Sequence, residues 1–148
     1  MRRKFVFNSK QVMGFSPAGK KDSYVSRLLI DKNSVGATSM VVNHFTLKPG
    51  KKTEAGSHPA PFDEFYYVLR GHGTVYLGSP PQATEIGPDS VVFIESKTKH
   101  FLENTDTEDL ELITVMPGEL VKGGNPLYDE RIQTWGTSFR PITDDAKL

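Results

Sequence analysis

No cysteine occurs among the 148 residues, which excludes disulfides, thiolate metal sites and a cysteine nucleophile together. Net charge is absent as well. Eighteen basic residues balance eighteen acidic ones, so there is no electrostatic footprint for nucleic acid or an anionic membrane. No stretch approaches the ~18 apolar residues that a membrane helix needs. The opening Met1-Arg2-Arg3-Lys4-Phe5-Val6-Phe7 has the basic start of a signal peptide, but Asn8, Ser9, Lys10 and Gln11 stand where its apolar run should follow. These absences predict a cytoplasmic protein with neither nucleic acid nor membrane as partner. A Gly-x-Ser-x-Gly elbow, a phosphate loop and a dinucleotide fingerprint are all missing, as are internal repeats and linkers. What remains is ordinary globular composition, 36% hydrophobic and 24% charged, in a chain long enough for one domain (1–148) with a sizeable core.

Short β-type runs separated by turn residues fill most of the chain, and little looks helical. Strands are expected at Tyr24–Ile30 and Ser39–Leu47, the second stopped by Pro49-Gly50. Glu64–Leu69 and Thr74–Leu77 are joined through Gly71-His72-Gly73, and Ala83–Ile86 follows the turn cluster Gly78-Ser79-Pro80-Pro81. Val91–Ile94 is apolar throughout and suggests a buried strand; Phe101 and Leu110–Val115 supply the last core strands. This rhythm argues for an all-β sandwich or barrel with its core at about 24–116, flanked by arms at 1–23 and 117–148. The C-terminal arm carries Leu127, Tyr128, Ile132, Trp135 and Phe139, apolar weight that suggests docking on its own barrel or on a second subunit.

All four histidines fall between residues 44 and 100, and with Glu64 they form the ligand-capable set His44, His58, Glu64, His72 and His100. Alternation places Glu64, Tyr66 and Val68 on one face of their strand. A carboxylate opening an aromatic and aliphatic strand is costly if buried unpaired, and a metal ion beside it resolves that cost. His58, in a Gly/Pro-rich loop, and His100, after the Val91–Ile94 run, can both turn toward that face. His44 lies mid-strand with Val42 and Thr46 on its face, and is a candidate replacement ligand or general base if it points inward. His72 reads as an exposed turn residue, Asn104 as a turn anchor, and Glu95 and Lys97 as solvated loop charges. Tyr66 is the best candidate for a hydroxyl lining a pocket.

Two stretches resemble the motifs of the cupin superfamily. From Gly50 to Gly71 the sequence GKKTEAGSHPAPFDEFYYVLRG is similar to the first motif: a glycine, a His-x-His pair, a glutamate, then a glycine seven residues after it. His100-Phe-Leu-Glu-Asn104 resembles the second, in which asparagine follows histidine by four, and Pro88-Asp-Ser-Val-Val-Phe-Ile94 resembles the approach to it. The resemblance spans about residues 40 to 116. It implies a double-stranded β-helix, or jelly-roll barrel, with one divalent metal ion held by His58, Glu64 and His100. The sequence departs from the pattern at one ligand. If His58 is the first histidine of the pair, Ala60 stands for the second; if His58 is the second, Gly56 stands for the first and the following loop is one residue longer. Glu95 and Lys97 also replace the usual Pro and Gly ahead of the second motif.

Two histidines and one carboxylate can bind non-haem iron with open positions, and the same donors suit Zn, Ni, Mn or Cu. The resemblance thus implies a metal-dependent enzyme acting on a small polar molecule, of dioxygenase, isomerase or lyase type, with Tyr66 or His44 moving protons. The alternative is a non-catalytic small-ligand-binding or structural barrel with a degenerate metal site. Exposed strand edges further suggest a homodimer, as is common among cupins.

Overall fold

The computed structural model describes residues 5–12, 14–17, 23–31, 34–118 and 139–142, with 17 and 139–142 described by backbone alone. Among these residues a short 3-10 turn at Ser9–Gln11 is followed by ten strands: β1 (Gly14–Pro17), β2 (Tyr24–Ile30), β3 (Met40–Leu47), β4 (Glu64–Arg70), β5 (Gly73–Leu77), β6 (Gln82–Ile86), β7 (Val91–Ile94), β8 (His100–Glu103), β9 (Leu110–Pro117) and β10 (Phe139–Ile142). The β-branched and aromatic runs form strands where period-2 alternation allows one side to be buried, and the Gly/Pro/Asn clusters between them turn the chain. Gly71 shows why one turn demands its residue. It adopts φ +86°, and a Cβ there would collide with the backbone carbonyl of Asp109.

Among the described residues the strands build two antiparallel sheets, one of seven strands in the order β10-β1-β2-β3-β9-β4-β7 and one of three in the order β6-β5-β8. Strands distant in sequence thus lie side by side, β3 against β9 and β9 against β4. The two sheets face each other as a jelly-roll barrel. One apolar cluster fills the space between them, with Tyr24, Phe45, Leu47, Val68, Ile94, Leu110 and Leu112 among its members, while Val41, Phe62 and Met116 form a smaller cluster. Burying each such side chain is worth about 1.5–3 kcal/mol.

Register assigns every side chain of the large sheet to the interior or the outside. Phe45 opposes Leu112, and Val68 opposes Leu112 from the other side, so these line the interior. Residues one step along, such as His44 opposite Ile113 and Tyr67 opposite Ile113, face outward. Val91–Ile94, expected as a buried strand, is buried on one face only. Val92 and Ile94 are buried, but Val91 and Phe93 are 65% and 60% exposed. The reason is its place at the free edge of the large sheet, where nothing among the described residues covers the outer face.

The flanking segments are more than arms. β1 and β10 pair with each other, and β1 with β2, extending the large sheet at its other edge. Ahead of β1, the Val12 carbonyl accepts a hydrogen bond from Arg27 Nε at 3.1 Å, tying the N-terminal segment to the outer face of β2. Leu127, Tyr128, Ile132 and Trp135 lie outside the described residues. No helix among the described residues is long and apolar enough to cross a membrane.

Candidate metal centre

Glu64 opens β4 on the interior face, directly opposite the buried Ile94 of β7. His100 opens β8 on the facing sheet, and His58 stands in the loop between β3 and β4. Their donor atoms converge within 4.8 Å of one another. Glu64 Oε1 lies 3.3 Å from His58 Nε2 and 3.4 Å from His100 Nε2, and the two imidazole rings are 5.3 Å apart between centroids. All three are buried: Glu64 is 5% exposed, His100 8% and His58 9%.

The loop that carries His58 is held by backbone pairing, with the Thr53 hydroxyl accepting from the Leu102 amide and the Asp63 carboxylate from the Ser96 amide. Gly56 and His100 exchange hydrogen bonds of 3.1 and 2.8 Å, the Thr53 amide donates to the Leu102 carbonyl, and the Lys97 amide donates to the His58 carbonyl at 2.6 Å. Lys97 makes this last bond from φ +67°, a left-handed conformation that glycine adopts without strain and lysine does not. The turn geometry of the second motif is thus retained although its glycine is not.

The donor set fits a cation. His100 Nδ1 lies 2.9 Å from the Thr98 carbonyl, which can only accept, so Nδ1 carries a proton and Nε2 is the atom turned toward Glu64. A carboxylate oxygen facing a nitrogen lone pair is repulsive unless a proton or a metal ion lies between them. A carbonyl holding the far side of a ligating histidine is the usual way its tautomer and orientation are set. Burial pushes the Glu64 carboxyl up, but hydrogen bonds to His100 and His58 outweigh it and hold the group down at about 2, so it is an anion throughout the neutral range.

Tyr66 shares the interior face with Glu64, is buried, and sets its ring edge-on to His100 at 6.3 Å between centroids. The structure does not bring His44 to this cluster. His44 pairs across from Arg27 and Ile113 on the outer face, with Nε2 3.4 Å from Glu111 Oε1, while Arg70 holds the other oxygen of Glu111 at 2.6 Å. One residue of register decides this: Asn43 and Phe45 face in, so His44 faces out. His72 is exposed and pairs with Asp106 at 3.2 Å. Asn104 is consumed as an anchor, its Nδ2 donating to the carbonyls of Leu47 and Glu108 and its Oδ1 accepting from the Asp106 amide. Glu95 and Lys97 are exposed loop residues.

His44 carries a pH dependence of its own. Burial lowers its pKa from the usual 6.5; Glu111 opposes this, and Arg27, Lys10 and Arg70 add to it. The folded protein therefore favours neutral His44, while the unfolded chain takes up a proton near 6.5. The associated stability is complete above that pH and is lost as pH falls below it. In thermal melts from about pH 7 to about pH 5, His44→Gln is expected to lose less stability than wild type. Parallel curves for the two proteins would contradict this assignment.

The comparisons agree with this geometry. The cupin domain model of protein families matches residues 43–116, half of the chain. Over 88 residues the chain is 28% identical to an oxalate-binding protein of Thermotoga maritima, covering 60% of this chain and 70% of that one. Over 79 residues it is 29% identical to the tetracenomycin polyketide synthase protein TcmJ of Streptomyces glaucescens, covering 53% of this chain. The match spans only 51% of the length of TcmJ. Among solved structures, the polyketide cyclase RemF of Streptomyces resistomycificus superposes with a TM-score of 0.67 at 23% identity, over 93% of this chain and 98% of that one. A predicted oxalate decarboxylase of Thermotoga maritima gives 0.66 at 22% identity, over 76% and 98%. These structures share the fold, and the motif residues from β3 to β9 share the family pattern. The chain belongs to the cupin domain family.

Proposed function

We propose that the protein is a metal-dependent cupin enzyme acting on a small polar acid or carbonyl compound, with His58, Glu64 and His100 holding one divalent ion. The observation that supports this is the meeting of two histidine nitrogens with one buried carboxylate oxygen at 3.3 and 3.4 Å inside the barrel. A bound ion there would supply Lewis acidity or, if redox-active, oxygen chemistry. The chain's own residues supply the rest. Tyr66, beside His100, is placed to donate or hold a proton at its hydroxyl, and the apolar interior keeps bulk water from the site. The relatives named for oxalate binding and for polyketide cyclisation both suggest an oxygen-rich ligand. The mixed set of two imidazoles and one carboxylate can hold Fe, Mn, Ni, Zn or Cu. Metal content of the purified protein tests this reading, since wild type that takes up no ion under any loading condition sinks it.

A homodimer is part of the same proposal. Phe65, Tyr67 and Leu69 of β4 and Val91 and Phe93 of β7 form one exposed apolar outer face, with Phe65 opposite Phe93 and Tyr67 opposite Val91. Its place at the free edge suits an isologous contact with a second copy. Light scattering is expected to give a dimer mass for wild type and a monomer mass for Phe93→Glu. A monomer mass for wild type at ~100 μM, a concentration at which even a modest micromolar interface would associate, would remove the proposal.

A further inference from the structure

One row of the barrel wall is polar where its neighbours are apolar. Asn43 of β3 opposes Thr114 of β9, and Thr114 opposes Tyr66 of β4, so three polar side chains run side by side across the interior. Two residues along each strand on the one side stand Phe45, Leu112 and Val68; on the other stand Val41, Met116 and the candidate ligand Glu64. The polar row is thus the layer next to the metal centre.

Asn43 is the informative member. It is 1% exposed, and its Oδ1 accepts a hydrogen bond of 2.8 Å from the fully buried hydroxyl of Ser26. That bond fixes the amide, and it leaves Nδ2 buried with no acceptor among the described residues. A buried donor without an acceptor costs about 1–3 kcal/mol, a cost that a leucine of similar volume would not incur. An orphaned donor in a row that leads to a ligand set points to an acceptor that arrives with a bound molecule.

We propose that Asn43 Nδ2, with Thr114 and Tyr66 along the way, forms the far end of a ligand subsite that begins at the metal centre and recognises a carboxylate or carbonyl oxygen. The subsite rests on the reading of His58, Glu64 and His100 as metal ligands. Asn43 sits two strands from β4, roughly 10 Å at the backbone. A two-carbon diacid held at the metal does not cover that span, whereas a five-carbon diacid reaches from one end to the other. The ligand class is therefore a small acid with a second oxygen function several bonds from the first.

Calorimetric titration of the zinc-loaded full chain with oxalate and with glutarate separates the possibilities. In Asn43→Leu and Asn43→Asp, glutarate is expected to bind about tenfold more weakly than in wild type, with oxalate changed less than about twofold. Asn43→Asp keeps an acceptor for Ser26 and so preserves the local packing if the leucine variant does not fold. Glutarate affinity equal to wild type in both variants, oxalate falling in parallel with glutarate, or zinc-loaded wild type that binds no glutarate would each overturn the subsite. Wild type that takes up neither zinc nor Fe, Mn, Ni or Cu on loading would instead overturn the metal reading on which it rests.

Discussion

Glutamine in place of Glu64 is expected to lower divalent-metal affinity by more than ~100-fold, beyond the 10–100-fold range typical of outer-shell partners. Among the described residues Glu64 is the only carboxylate in the cluster, and both histidine nitrogens address one of its oxygens, at 3.3 and 3.4 Å. Glutamine keeps the volume and one carbonyl acceptor but removes the anion. Two neutral imidazoles do not replace that charge for an ion of charge +2. His100→Ala is expected to act similarly, since it removes the nitrogen whose orientation the Thr98 carbonyl fixes. Metal content by elemental analysis, with a chelator competition for affinity, reads both variants. Either variant retaining wild-type affinity would place the metal elsewhere.

The same substitution has an acid signature in the metal-free protein. The folded pKa of Glu64, about 2, lies below its ordinary 4.5, because the hydrogen bonds from His100 and His58 outweigh burial. The stability this carboxylate contributes is therefore present above pH 4.5 and is lost as pH falls toward 2. Wild type and Glu64→Gln should converge in stability over that window and run parallel above it.

A histidine at Gly56 is expected to raise divalent-metal affinity by at least ~10-fold, the scale on which a single well-placed group acts at a metal site. Gly56 exchanges two backbone hydrogen bonds with His100. Directly paired residues on antiparallel segments project to the same side, so a side chain at Gly56 emerges beside that of His100. An added Cβ there meets no heavy atom within 4 Å, and the backbone carries no positive φ to oppose the change. Ala60, the other position at which the motif histidine could be missing, is exposed in a turn. Ala60→His is accordingly expected to leave affinity near wild type. The reverse ranking of the two variants would show that His58 fills the first motif position and not the second. Pairing with His100 supports the alignment in which His58 is the second histidine, a choice that spacing alone leaves open.

Much of the barrel is legible before folding because its information is local. Tyr24–Ile30 and Val91–Ile94 are strands at the residues their composition indicates, and Glu64 to Gly71 spans a strand that ends in a left-handed glycine. The cluster of His58, Glu64 and His100 is legible for a similar reason. A carboxylate at the head of an apolar strand announces that something must compensate it. The arms are less legible. Four-residue strands such as Gly14–Pro17 and Phe139–Ile142 have little alternation of their own and exist by pairing with each other. Long-range partners supply what local propensity lacks.

The amino-acid sequence by itself determined the strand rhythm, the turns and which three residues would converge, because alternation and motif spacing act over a few neighbours. Only the tertiary structure decided which face each strand turned to the interior. Facing is a property of register between strands far apart in sequence, and one residue of slip reverses it. That is why His44 lies outside against Glu111 while Asn43, its neighbour, lies inside with an unclaimed donor. For the same reason Val91–Ile94, apolar at every position, buries only Val92 and Ile94 and leaves Val91 and Phe93 exposed.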